Sequence, residues 1–268
     1  MFSGTKIDLN YAEFDGHGPA LVISHGFSSR WQGLAAYAEA LTDWHVYAVD
    51  QAGHGLSSER RATYRFVDFA DDMAEFIESV SGPNVAFIGA SLGGMVGMII
   101  TGTRPELINT LILGDIPIAL FRDNYMGSWL QKARAETLEQ VKEKFSVEEE
   151  KINKAKMFPT MTPGQIESLA IAATQLRPET AGALADGTML DEIDINQALR
   201  DTIAPTLMLQ GDDTTGFFLP DSGVEEMKTL LRDFETKKFA GMGHGLDYGA
   251  PGDAFATVVD FLNRRHRN

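Results

Sequence analysis

The 268-residue sequence contains no cysteine, which excludes disulfides, a thiolate nucleophile and a cysteine-based zinc site. It has no apolar run near the roughly 20 residues needed to cross a bilayer. Its first residues, Met1 to Asp8, show neither a basic stretch nor an apolar signal core, so the expected location is cytoplasmic. Positive charge is scarce: 23 Lys and Arg against 38 Asp and Glu leave a formal net charge of −15. Such a field repels phosphate backbones and anionic lipid surfaces, so neither nucleic acid nor membrane is an expected partner. The six histidines are scattered, none in an H-E-x-x-H spacing, and no Walker-type loop is present. No metal and no cofactor is therefore expected.

What is present is an ordinary globular composition, 44% hydrophobic and 23% charged, in a chain long enough for one large core. Short apolar runs end in glycine-containing loops at Ala20–Ser24, His45–Val49, Val85–Ile88, Thr110–Leu113 and Thr206–Gln210, with a last strand candidate at Thr236–Ala240. Helical spacing separates them, at Leu34–Leu41 and along Phe66, Phe69, Ala70, Met73, Phe76, Ile77 and Val80. Strand and helix in alternation predict an α/β fold, a doubly wound, mostly parallel sheet covered on both faces. Residues 118–200 break this rhythm, being rich in Glu, Lys, Gln, Ala and Leu and divided by Pro159, Pro163 and Pro178. The expected organisation is a core of residues 1–117 and 201–268 with 118–200 inserted as a helical cap.

The most specific chemical signal is Gly89-Ala90-Ser91-Leu92-Gly93, a G-x-S-x-G pattern between a strand candidate and a helical segment from Met95 to Thr103. A serine on so tight a turn has a strained backbone, and small residues two positions away on each side leave it room. The turn also places Ser91 at a helix N-terminus, where backbone N–H groups favour developing negative charge. Ser91 is the candidate nucleophile. The N–H groups of Phe27, in His25-Gly26-Phe27 after the first strong strand, and of Leu92 form the candidate oxyanion hole. His25 itself is expected to brace that loop by hydrogen bonding. His244, in Gly243-His244-Gly245 after the last strand candidate, is the candidate general base. Asp50 to Ser57 contains Asp, His and Ser, but one glycine-rich loop cannot easily give them triad order, so it is read as structural.

Together, His25-Gly26-Phe27, Asp50 to Ser57, Gly89 to Gly94 and Gly243-His244 resemble the α/β-hydrolase superfamily in order and across nearly the whole chain. That resemblance implies an order of nucleophile, acid, histidine, with the acid after the strand that follows the cap. The usual Gly-x-x-Asp is altered here, because Thr214 stands three residues after Gly211, while Asp212 and Asp213 come earlier. Asp212 is taken as the acid, with Asp115 and Asp213 as alternatives, since some members carry the acid one strand earlier.

The implied reaction is hydrolysis of a small carboxylic ester, lactone or related acyl substrate through an acyl-enzyme. Alternatives on the same fold are carbon–carbon bond hydrolysis, cofactor-free chemistry by the histidine and acid, or a non-catalytic ligand receptor. Phe121, Tyr125, Met126, Trp129, Leu130, Met157 and Phe158 suggest a pocket for an apolar or aromatic acyl group, although most are expected to pack cap against core.

Overall fold

The computed structural model describes residues 1–5, 7–59, 62–123, 125–212, 219–241, 243–244 and 252–266. Nine strands are present among them: β1 (Phe2–Ser3), β2 (Asp8–Leu9), β3 (Tyr11–Phe14), β4 (Ala20–Ser24), β5 (His45–Val49), β6 (Val85–Ala90), β7 (Ile108–Gly114), β8 (Thr206–Gln210) and β9 (Phe234–Lys238). The first two form a small antiparallel pair. The other seven build one sheet in the order β3-β5-β4-β6-β7-β8-β9, parallel throughout except for β3, which runs antiparallel to β5.

Side-chain alternation along the central strands divides the core into two layers. Val22, Phe87, Leu111, Leu113 and Met208 point to one face, where Phe66, Phe69 and Met73 of the helix Phe66–Phe76 pack with Val96 and Ile100 of the helix Leu92–Thr103. Leu21, Ile23, Ala86, Ile88, Ile112 and Leu207 point to the other, where Tyr37 and Ala38 meet Val258 and Phe261 of the helix Asp253–Arg265. The helix Leu92–Thr103 is apolar around its whole circumference and buried from Leu92 to Thr101, so it can only exist between other layers.

The runs at Ala20–Ser24, His45–Val49 and Thr206–Gln210 fall where their pattern placed them, whereas the fourth run is longer at both ends, as β7 spans Ile108–Gly114, and three other elements differ. β6 continues to Ala90 because its pairing with β7 extends to Ala90 and Gly114. The final strand lies at Phe234–Lys238, two residues before the predicted run, because Phe234 registers with Thr206. β3 has no marked apolar run; its pairing with β5 holds it as an edge strand.

Between β7 and β8 the described residues form no strand, only the helices Ile118–Asp123, Trp129–Glu143, Val147–Met157, Pro163–Thr174, Pro178–Ala185 and Ile195–Asp201 and one short 3₁₀ turn. Pro163 and Pro178 open helices, where the missing N–H costs nothing, and Pro159 follows one that ends at Met157. Ser146 with Glu149 and Thr162 with Gln165 form reciprocal caps. No helix among the described residues is long and apolar enough to cross a membrane.

Candidate active site

The sheet order reverses direction between β4 and β6: the chain runs outward from β4 to β5, then returns to β6 and proceeds the other way. A crevice outside the carboxyl ends of those two strands is where ligands bind in open parallel sheets. β4 ends at Ser24, just before His25-Gly26-Phe27, and β6 ends at Ala90, just before Ser91.

Ser91 has φ 48° and ψ −108°, a left-handed backbone that a serine adopts only when its surroundings enforce it. Its N–H donates to the Gly114 carbonyl at 3.0 Å, and its carbonyl accepts from Met95 N–H at 3.1 Å. Its hydroxyl makes no capping bond to the helix that follows. The two pattern glycines permit this turn by close approach: a Cβ on Gly89 would lie 2.3 Å from the Gly93 carbonyl oxygen, and one on Gly93 would lie 2.2 Å from the Ser24 oxygen. Gly93 N–H also donates to the His25 carbonyl at 3.1 Å, joining the β6 turn to the β4 loop.

That bond brings Phe27 beside Leu92. Among the described residues, neither the Phe27 nor the Leu92 N–H donates to a protein acceptor. Both line the same narrow pocket as Ser91, whose interior volume is about 10 Å³, close to the room for one water. The β4 loop is rigid for a readable reason. His25 Nδ1–H donates to the Gly26 carbonyl at 2.8 Å, which leaves Nε2 to accept from Gln51 N–H at 3.0 Å. The His54 ring stands edge-on to His25, with centroids 5.2 Å apart, and edge-on to Phe27 at 5.7 Å. Complete burial pushes His25 down to about 4 and His54 to about 3, the latter also through repulsion from His25, so both are neutral near pH 7.

The Asp50–Ser57 loop has the bracing arrangement expected of it. Asp50 is buried, and its carboxylate accepts from Trp31 N–H, Leu56 N–H and Asn10 Nδ2, while Ser57 Oγ donates to the Asp50 carbonyl.

His244 pairs with Asp115: Nδ1 lies 2.8 Å from Oδ2. Asp115 follows β7, has φ 36° and is fully buried, and its other oxygen accepts from Leu219 N–H at 3.1 Å. A carboxylate acceptor fixes Nδ1 as the protonated nitrogen, leaving Nε2 as the basic one. Asp212, the acid preferred on sequence, instead accepts from Gly241 N–H, an anchor for the chain just ahead of His244. The difference is topological: β7 is central and adjacent to β6, whereas β8 is one strand further from Ser91. Asp213 lies outside the described residues.

Phe121 and Leu130 line the pocket over Ser91, but Tyr125 is a packing residue whose hydroxyl donates to the Leu184 carbonyl. Met126, Trp129, Met157 and Phe158 do not face the pocket and are exposed at 62, 59, 55 and 36%. Phe66, Pro117, Leu184, Met189 and Arg134 line it instead. Nothing local marks Arg134, one basic residue in a charged helix, whereas Met189 is fully buried in an otherwise polar stretch. The one grouping of possible metal ligands among the described residues, Glu13, Asp15 and His45, sits around the start of β5, the sheet end opposite Ser91.

The family model described as serine aminopeptidase, S33, matches residues 17–246. The chain is 21% identical to the 2-(acetamidomethylene)succinate hydrolase of Mesorhizobium japonicum, over 96% of this chain and 92% of that protein. It is 25% identical to 3-oxoadipate enol-lactonase 2 of Acinetobacter baylyi, over 76% of this chain and 75% of that one. Among solved structures, a thermophilic esterase from Thermogutta terrifontis superposes with a TM-score of 0.77 at 21% identity, covering 97% of this chain and 95% of that one.

Proposed function

The chain belongs to the serine aminopeptidase S33 family of α/β-hydrolases, and we propose that it hydrolyses a small carboxylic ester, lactone or related acyl substrate through an acyl-enzyme on Ser91. The observation that carries this reading is the Asp115–His244 hydrogen bond, which holds an imidazole to the carboxyl end of β7, the strand beside the one that ends at Ser91 in its strained turn.

In this mechanism His244 Nε2 takes the Ser91 proton as Oγ attacks the substrate carbonyl. The N–H groups of Phe27 and Leu92 hold the oxyanion, and the buried Asp115 carboxylate stabilises the imidazolium. The C–O bond to the leaving group breaks, and the departing oxygen takes the proton from His244. A water then repeats the sequence on the acyl-enzyme, releasing the acid and restoring Ser91. The helical insertion acts as the cap, with Phe121 and Leu130 over the nucleophile. Relatives named for an enol-lactone and for an acetamidomethylene succinate are in keeping with hydrolysis of a small substrate of this kind.

The test is turnover of a panel of short-chain esters and lactones by the wild type and by Ser91→Ala. Wild-type hydrolysis lost in a folded Ser91→Ala protein supports the reading; equal turnover by both contradicts it.

A further inference from the structure

We propose that Arg134 selects the substrate of this site by binding a carboxylate carried on the acyl part, a short chain away from the scissile carbonyl. This rests on the acyl-transfer reading above and narrows it to a substrate class.

Arg134 lies on the helix Trp129–Glu143 of the insertion, partly buried, and its guanidinium carbon sits 4.9 Å from the centroid of the Phe27 ring. Phe27 is also the residue assigned above to the oxyanion hole, which puts the cation one side chain away from the proposed reacting carbonyl. It lines the same pocket as Ser91 and is the one charged side chain among the described lining residues; Phe66, Phe121, Leu130, Leu184 and Met189 are apolar.

Arginine is suited to holding an anion at such a place. Its flat face packs on an aromatic ring, and its planar fork of N–H donors matches a carboxylate bidentately. The apolar side chains that line the pocket beside Arg134 and Ser91 suit the methylenes that would join a carboxylate to the scissile carbonyl.

The experiment compares monoethyl succinate with ethyl 4-methylpentanoate, in which an isopropyl group replaces the carboxylate at the same chain position, both followed by proton release. The wild type is expected to favour the carboxylate ester in kcat/KM, and Arg134→Met to lower that ratio by about 10- to 100-fold. Arg134→Lys should retain part of it. No preference for the charged ester in the wild type, or a ratio that Arg134→Met leaves in place, overturns the proposal and makes Arg134 a packing residue. Fluorophosphonate labelling of Ser91 separates the two levels. Labelling without the charge preference sinks this inference alone, whereas no labelling and no turnover sink the hydrolase reading with it. Where neither ester turns over but Ser91 is labelled, protection against labelling reads the same preference, and equal protection by both esters overturns it.

Discussion

Asp115 Oδ2 accepts from His244 Nδ1 at 2.8 Å, with the carboxyl fully buried and the imidazole side chain 30% exposed. The two residues are 129 positions apart in sequence, and the buried member holds the tautomer of the partly exposed one. Asp115→Asn keeps the shape but reverses the hydrogen bond, since an amide can present its NH₂ and stabilise the wrong tautomer. Turnover is expected to fall by about 10³- to 10⁴-fold. Asp212→Asn, which touches the Gly241 N–H instead, is expected to cost less than about tenfold, as loop placement rather than imidazolium stabilisation is affected. Steady-state kinetics of the two variants side by side decides between the carboxylates.

Gly93 offers a separate check on the turn. A methyl group there would lie 2.2 Å from the Ser24 carbonyl oxygen, which is backbone and cannot rotate away. Gly93→Ala is expected to lower stability by about 3 kcal/mol, measured by urea unfolding, as β4 and the helix after Ser91 are pushed apart. The same displacement disrupts the Gly93 N–H to His25 bond, so activity should fall even where the protein remains folded.

Acid should destabilise the fold through His25 and His54. Their folded values, about 4 and about 3, lie below the ordinary 6.5 because burial disfavours the charged form. As pH falls from 6.5 towards 4 the unfolded chain takes up protons that the folded chain does not. Stability is thus fully present above about pH 6.5 and declines below it, by up to about 2.7 kcal/mol per pH unit for two such groups. Urea midpoints between pH 7 and pH 5 should show this slope. His54→Asn should flatten it, and an unchanged slope would assign the acid sensitivity to other groups.

Much of the fold could be read from residue order because the central strands are apolar on both faces and end in glycine loops, a pattern that few other arrangements produce. The Ser91 turn was equally readable, since Gly89 and Gly93 are required by contacts that any side chain would violate. The partner of His244 was not, because choosing among three aspartates depends on which strand end lies beside β6, and that is set by sheet order rather than by local sequence. The pocket lining was harder still. Trp129 and Met157 look like pocket residues by type but lie on the outward side of their helices, while Arg134, one turn beyond Leu130, turns inward over Phe27. Only the way the insertion packs on the core distinguishes them.

The central claim is that Ser91 is a nucleophile activated by His244, and intact-mass and peptide analysis after treatment with a fluorophosphonate tests it most directly. The account predicts one adduct per chain, located on Ser91, formed much more slowly in His244→Ala and absent in Ser91→Ala. An adduct on another residue, or an equal rate of labelling without His244, would contradict it.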